Sequence, residues 1–111
     1  MKLSKIKIEH LANEIMDLLK QQGLDDDVYI YFNGKRMNNK VVEEGFNPRD
    51  YFDYVGDILT MSFEGSFNSV INYYLDSSYC NIVIAKFDAI LDKYGVYYEL
   101  GNSWNLTLFY K

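Results

Sequence analysis

Nucleophilic and metal-ligating side chains are few in this chain, which has one histidine and one cysteine in 111 residues. His10 stands four residues before Glu14, and this pair supplies too few ligands for a metal site. Cys80 would act as a nucleophile only with a base close in space. We expect a surface or boundary histidine and a buried or half-buried thiol, and therefore neither a catalytic residue nor a metal site.

Carboxylates recur at spacings that could hold a cation or supply an acid–base pair. An acidic patch is formed by Asp50, Asp53 and Asp57, and Asp88 and Asp92 lie one helical turn apart. Oxygen ligands suit divalent cations, and paired carboxylates suit glycoside hydrolysis. Solvated helix faces explain these spacings better, and the sequence contains no phosphate-binding glycine loop or nucleophile motif. The sequence predicts no cofactor, and a carboxylate-based enzyme is an alternative to a non-enzymatic protein.

Aromatic residues are unusually frequent, with 11 tyrosines, 7 phenylalanines and 1 tryptophan. Alternation along the predicted strands directs an aromatic and almost uncharged set of side chains away from the core, whereas Trp104 falls in the inward-facing set. Tyrosine combines a large contact area with a polar tip, which is why protein interfaces are rich in it. Strand propensity alone also accounts for tyrosines in strands. The predicted binding surface consists of Tyr29, Tyr31, Ile58, Tyr97 and Phe109.

The net charge of −5 is unevenly distributed, because residues 41–79 hold seven carboxylates and only one cation, Arg49. A duplex-binding protein needs several cations on one face, so nucleic acid is an unfavourable main ligand. We therefore expect a protein partner or self-association as a homodimer, through the tyrosine-rich sheet face or the acidic segment 41–57. One alternative is an accessory protein of a phage or mobile element that blocks the basic site of a host nucleic-acid enzyme. Another is a single-strand nucleic-acid binder that combines Lys35 and Arg36 with four aromatic residues, Tyr29, Tyr31, Tyr97 and Phe109.

Cellular context is indicated by composition. One cysteine permits no disulfide within the chain, and the first ten residues lack the apolar core of a signal peptide. Charges interrupt every apolar run, so we expect a cytoplasmic protein that does not enter a membrane. Frequent Ile, Asn, Lys and Tyr, with three alanines and one proline, suggest an AT-rich bacterial or phage genome.

Hydrophobic periodicity predicts two long amphipathic helices. Residues 8–19 carry apolar side chains at helical spacing, with Ser4 placed as N-cap and Gly23 at the end. A helix after Ser77 repeats this pattern and ends at Gly95. Because a predicted hairpin follows each helix, an internal duplication of the helix–hairpin unit is one interpretation, although two amphipathic helices match at core positions by geometry alone.

Strand signals occur in two hairpins and one isolated run. Residues 28–32 alternate in polarity, and Asn33–Gly34 favours a type I′ turn into a return strand over 35–42. A central strand is predicted over 58–63, and a second hairpin over 96–110.

Two shorter helices complete the prediction. Asn47–Pro48 predicts a helix of about two turns that ends at Gly56, and another short helix follows Gly65–Ser66. Residues 1–111 then form a single α+β domain, in which an antiparallel sheet of about five strands packs its helices on one face.

Overall fold

A six-stranded antiparallel sheet carries three helices on one face. The computed structural model describes residues 2–111. The elements in chain order are α1 Lys5–Gln21, β1 Val28–Phe32, β2 Lys35–Met37, β3 Val42–Glu44, a 3-10 turn Pro48–Asp50, β4 Thr60–Phe63, α2 Ser66–Ile71, α3 Ser77–Lys93, β5 Val96–Asn102 and β6 Asn105–Tyr110. The strand order is β3-β2-β1-β4-β6-β5. The predicted α+β architecture is confirmed, with two hairpins on either side of the central strand β4.

The sheet has six strands rather than about five because the predicted return strand 35–42 is divided in two. The side-chain oxygen of Asn38 accepts hydrogen bonds from the backbone N–H groups of Lys40 and Val41, at 2.8 and 2.9 Å. This local turn reverses the chain, since such side-chain bonds compete with the strand ladder. β3 then pairs with β2 and becomes one edge of the sheet.

The core lies between the sheet and the helices. The hydroxyl of Ser4 accepts the backbone N–H of Lys7 at 3.2 Å, which confirms the predicted N-cap of α1. Three fully buried rings meet edge to face, with centroid distances of 5.2 Å for Phe63–Phe67 and 5.7 Å for Phe67–Phe87. Edge-to-face contacts of this kind stabilise a core beyond the burial of the rings themselves.

The turn between β1 and β2 has the predicted type I′ character. Asn33 and Gly34 both have positive φ, at 52° and 74°, as this turn requires. The carbonyl of Gly34 also accepts the backbone N–H groups of Gly45 and Phe46, at 2.9 and 3.0 Å. These bonds tie the start of the next segment to the turn and direct it across the sheet.

The predicted two-turn helix over residues 47–56 is wrong. Only Pro48–Asp50 is helical, as one 3-10 turn capped by the Asn47 side chain. The chain then continues without regular structure because Tyr51 and Phe52 pack on rings of the sheet. A continued helix would draw these two side chains off that surface.

The helix–hairpin units α1–β1–β2 and α3–β5–β6 are not related by a rotation. Seen from the helical face with β1 pointing up, β2 lies on one side of β1. When the view is rotated within the plane of the sheet until β5 points up, β6 lies on the other side of its helix-following strand β5 than β2 does of β1. Two duplicated units would have the same handedness, so the topology argues against an internal duplication.

Among residues 2–111, neither long helix combines the length and the apolarity that a bilayer span requires.

Candidate functional site

Residues 46–57, which we call the covering segment, lie across the outer face of the sheet, opposite the helices. The ring of Tyr31 on β1 contacts Tyr51 and Phe52, with centroids 5.8 and 5.4 Å away. The Phe52 ring also lies 5.6 Å from Trp104. The acidic segment and the aromatic sheet face, which the sequence offers as separate surfaces, are therefore two layers of one structure.

A polar contact fixes the covering segment to the centre of the sheet. The hydroxyl of Thr107 accepts the backbone N–H of Gly56 at 2.8 Å and the Thr60 hydroxyl at 3.0 Å. It donates in turn to the carbonyl of Leu59 at 3.2 Å. Thr60 and Thr107 are fully buried, so this outward-facing side of the sheet is itself an interior.

The predicted binding residues are unequally accessible. Tyr31 is only 5% exposed, because Tyr51 and Phe52 of the covering segment pack on it. Ile58 is also 5% exposed, but it belongs to the hydrophobic core, so its predicted place on the outer face is wrong. Tyr29 and Phe109 are half-buried, and Tyr97 is 39% exposed. The structure thus places four of the five on the outer side of the sheet and Ile58 in the core, and Tyr97 has the largest exposed fraction.

The covering segment adds its own rings to this side of the molecule. Tyr51 and Tyr54 are 52% and 44% exposed, more than any tyrosine of the sheet itself. Tyr54 packs on Phe109 at 5.7 Å, and Phe109 packs on Tyr97 at 5.9 Å. We call the whole set the aromatic surface: Tyr29, Phe46, Tyr51, Phe52, Tyr54, Tyr97, Trp104 and Phe109.

Trp104 is predicted to face the core but lies on the aromatic surface instead. It belongs to the turn that connects β5 to β6, before the ladder begins at Asn105. Strict alternation does not extend through a turn, so the indole is free to pack on Phe52. Its carbonyl meanwhile accepts the backbone N–H of Phe63 at 2.8 Å.

At one end of the aromatic surface, Arg36 is enclosed by rings. Its guanidinium lies 4.0 Å from the centroid of Phe46 and 4.9 Å from that of Tyr29. One terminal nitrogen bonds Glu43 on β3 at 3.3 Å. Burial raises the pKa of the neighbouring Tyr31 hydroxyl, and Arg36 offsets part of that rise. Because its charge is paired and covered, Arg36 here acts to hold rings in place.

At the other end, Glu99 on β5 orients two tyrosines. It accepts the hydroxyl of Tyr54 at 2.8 Å and that of Tyr97 at 3.1 Å. These hydrogen bonds are the main cause of the raised pKa of both tyrosines, since each stabilises the protonated phenol. These bonds hold the two rings in place, and both tyrosines remain partly exposed.

The acidic patch lies along the covering segment. Asp57 forms an ion pair with Arg49 at 3.1 Å. Asp50 and Asp53 are exposed and form no ion pair with any other described residue. The uncompensated negative charge of the segment therefore lies beside Tyr51 and Phe52.

A small pocket of about 130 Å³ opens within the aromatic surface. Four rings, two asparagines and a glycine line it: Tyr51, Phe52, Tyr54, Trp104, Asn102, Asn105 and Gly101. Asp53 also lines the pocket, and no lysine or arginine does. The ring planes are tilted by 58° for Tyr51–Phe52 and by 50° for Phe52–Trp104, so these rings do not form a flat stack. We call this the aromatic pocket.

The remaining reactive groups lie apart from this site. Cys80 is fully buried in α3, as predicted, and His10 is exposed on α1. Within residues 2–111, no three or more His, Cys, Asp or Glu side chains gather where they could hold a metal ion. Lys35, which the single-strand alternative requires, lies 3.6 Å from Glu9 and 3.7 Å from Glu44.

The rings of the covering segment are the part of the site that the sequence did not indicate. The predicted helix over residues 47–56 gave no reason to place these side chains on the outer face of the sheet. The available signal was the short stretch FNPRDYFDY, with four aromatic residues in nine and glycines close on both sides. Fold and site together define a small α+β domain whose sheet is covered by helices on one face and by an aromatic segment on the other. No protein-family model, curated protein or solved structure matches the chain.

Proposed function

We propose that this protein is a non-enzymatic protein-binding domain that uses the aromatic surface to hold a basic segment of a partner protein. The observation that carries the proposal is the exposure of Tyr51, Tyr54 and Tyr97 on one side of the molecule. Tyrosine and tryptophan dominate the energetics of protein interfaces, because they bury a large area at little cost in side-chain entropy.

Rigid support makes these rings suited to binding. Tyr54 and Tyr97 are fixed by Glu99, and Tyr51 packs between Tyr31 and Phe46. A side chain that is already ordered loses less conformational entropy when a partner arrives, and this raises affinity.

Charge favours a basic partner over nucleic acid and over a second copy of the chain. Asp50 and Asp53 lie beside the rings without an ion-pair partner among residues 2–111, whereas Arg36 is paired with Glu43. A phosphate backbone would be repelled here, and a face-to-face homodimer would oppose carboxylates to carboxylates. A nucleic-acid enzyme with a basic groove is one partner of the required chemistry.

The test begins with selection of random peptides by phage display on the purified full chain. Each selected peptide is then titrated into the protein, and the fluorescence of Trp104, the only tryptophan, reports binding. We expect enrichment of Lys or Arg in the peptides. Tyr51→Ser and Tyr97→Ser should each weaken binding at least about fivefold, as expected of an interface aromatic.

Tyr74→Ser is the matched control, because Tyr74 is 68% exposed but lies in the connection between α2 and α3. The affinity of the Tyr74→Ser variant for the selected peptides should equal that of the unmodified protein. A selection that yields no binding peptide, or peptides that bind both tyrosine variants as tightly as the control, would contradict the proposal. Light scattering adds an independent outcome, because a stable dimer that Tyr51→Ser dissociates would assign the surface to self-association.

A further inference from the structure

The two edges of the sheet differ in length and in charge. β3 forms one edge with three residues, and its Glu43 and Glu44 form ion pairs with β2. β5 forms the other edge with seven residues, of which Glu99 is the only charged one and none is proline. Short length, charged side chains and proline keep an edge strand from pairing with another chain. β5 therefore lacks the protection that β3 has.

The ladder leaves backbone groups of β5 directed away from the sheet. The carbonyl of Gly95 accepts the backbone N–H of Lys111 at 3.1 Å, so Gly95 faces β6. Successive residues of an antiparallel strand direct their backbone groups to opposite sides, and Tyr97 therefore also faces β6. The N–H and C=O groups of Tyr98 and Leu100 then point outward, where no other strand of residues 2–111 lies. The register is regular up to Leu100, so these groups form a template for one more strand.

Side chains on both faces of β5 are accessible to such a strand. Tyr97 and Leu100 are 39% and 41% exposed. By alternation, Tyr97 and Glu99 lie on the outer face, at the β5 end of the aromatic surface. Tyr98 and Leu100 lie on the helical face, where Tyr98 packs on Phe87 at 5.4 Å. An added strand would meet a ring and a carboxylate on one face and apolar side chains on the other.

Charge favours a cationic strand over a second copy of β5. Glu99 accepts two tyrosine hydroxyls but forms no ion pair with another described residue. Opposite charges on adjacent strands stabilise their pairing, and like charges destabilise it. A second copy of β5 would add another Glu99 to the same face and no cation. Lysine or arginine is the residue type that complements this face.

We propose that part of the partner's basic segment binds to β5 as a seventh strand of the sheet. Its backbone forms hydrogen bonds with Tyr98 and Leu100. Its side chains alternate, with Lys or Arg facing Glu99 and apolar residues facing Leu100. In this mode of recognition, main-chain hydrogen bonds supply affinity and alternate side chains supply specificity. The proposal rests on the protein-binding function proposed above and specifies the conformation and the sequence pattern of the bound segment.

Amide hydrogen exchange of the full ¹⁵N-labelled chain, measured by NMR, tests strand addition directly. The probe is the tightest-binding peptide from the phage selection described above. At a free peptide concentration of about ten times Kd, exchange of the Tyr98 and Leu100 amides should slow about tenfold. Unchanged exchange at both amides would overturn the proposal. Protection of these amides in the free chain that disappears on dilution would assign the edge to a second copy instead.

Val42 provides the matched control for this measurement. The carbonyl of Val41 accepts the backbone N–H of Asn38 at 3.0 Å, so Val41 faces β2 and the next amide, that of Val42, points outward from the β3 edge. Its exchange rate should be the same with and without the peptide. Equal protection of Val42 and Leu100 would show a general effect of the peptide and would contradict binding at β5.

Methylation of the peptide backbone gives a second test that needs no protein variant. Each residue of the probe is N-methylated in turn, which removes one N–H group. Because only alternate N–H groups of an added strand face β5, methylation should weaken binding at least about fivefold at every second residue and less than about twofold between them. Equal effects at neighbouring residues throughout the peptide would overturn strand addition.

Leu100→Pro blocks the edge of β5 with little effect on the sheet, because proline is tolerated where the N–H of an edge strand faces solvent. It should weaken peptide binding at least about fivefold, the effect of one lost hydrogen bond. Val42→Pro makes the same change at the other edge and should leave the affinity unchanged. Circular dichroism verifies that both variants are folded, and equal affinities of the two variants would contradict the proposal.

The outcomes distinguish this inference from the proposed function. Peptides that show no alternating effect of methylation and no protection of Tyr98 and Leu100 would overturn strand addition. Sensitivity of the same peptides to Tyr51→Ser and Tyr97→Ser would still support protein binding. Selected peptides without Lys or Arg at alternate positions would overturn the proposed sequence pattern.

Discussion

Thr107 is the residue whose hydroxyl holds the covering segment on the sheet. A threonine hydroxyl offers one donor and two acceptor sites, and here all three are used. Gly56 and Thr60 donate to it at 2.8 and 3.0 Å, and it donates to Leu59 at 3.2 Å. Thr107→Val keeps the shape and the strand propensity of the side chain, so the substitution isolates the contribution of the hydroxyl.

The magnitude follows from the partners that are left behind. The carbonyl of Leu59 loses one of its two hydrogen bonds at little cost in free energy, because it still accepts the backbone N–H of Leu108 at 2.9 Å. The N–H of Gly56 and the hydroxyl of Thr60 both lose their acceptor. Each buried donor without a partner costs about 1–3 kcal/mol, and Gly56 is only partly buried. We therefore expect Thr107→Val to lower the free energy of unfolding by about 2–4 kcal/mol.

Urea denaturation measures this change, with Trp104 fluorescence reporting the covering segment and circular dichroism reporting the sheet and helices. For a domain of this size each 1 kcal/mol shifts Tm by about 4 °C, so the thermal midpoint should fall by about 8–16 °C. The double variant Thr60→Val/Thr107→Val is the matched control. The second substitution removes the Thr60 hydroxyl, which is one of the two donors that Thr107→Val leaves unpaired. The free energy of unfolding of the double variant should therefore be about 1 kcal/mol higher than that of Thr107→Val alone. A Thr107→Val protein within about 0.5 kcal/mol of the unmodified chain would refute the reasoning.

Two further groups of measurements follow from the structure. Hydrogen bonds from Lys93 and then Tyr94 hold the pKa of Glu14 below its usual 4.5, so its contribution to stability is present above that pH and is lost as pH falls. Stability curves of Glu14→Gln and of the unmodified protein should therefore differ at neutral pH and converge in acid; a constant difference would contradict this. Burial, and next the hydrogen bond to Glu14, raises the pKa of Tyr94 to about 12, so its contribution is lost as pH rises from 10 towards 12. In an ultraviolet titration, Tyr94→Phe should lack one tyrosinate that forms near pH 12, and an unchanged curve would count against the assignment. Phe67→Ala should cost about 3–5 kcal/mol in urea denaturation, because it opens a cavity between two buried rings. A loss below about 1 kcal/mol would contradict the packing described for the core.

Much of the fold was predictable because its elements depend on residues that are near one another in the chain. The caps and apolar spacing of α1 and α3 define those helices over a few turns. Asn33–Gly34 specifies its turn through the conformations that these two residues adopt easily. Alternation also placed Tyr97, Asn105 and Phe109 on the outer side of the sheet.

The candidate site was only partly predictable, because it is assembled across long distances in sequence. Asn105 and Asp53 reach one pocket only because residues 46–57 lie across β6. The bond that fixes this arrangement joins Gly56 to a side chain 51 residues away. No local pattern encodes that contact, and the local signal of Asn47–Pro48 favoured a longer helix.

The sequence by itself thus determined the α+β class, the two long helices, the hairpins and an aromatic outer face, since each follows from local periodicity or turn chemistry. Only the tertiary structure decided what covers that face. Packing of Tyr51 and Phe52 on the sheet, with the bond from Gly56 to Thr107, outweighed the local helical preference of the covering segment. That competition places a second layer of rings on the outer side of the sheet, where Tyr51 and Tyr54 are exposed.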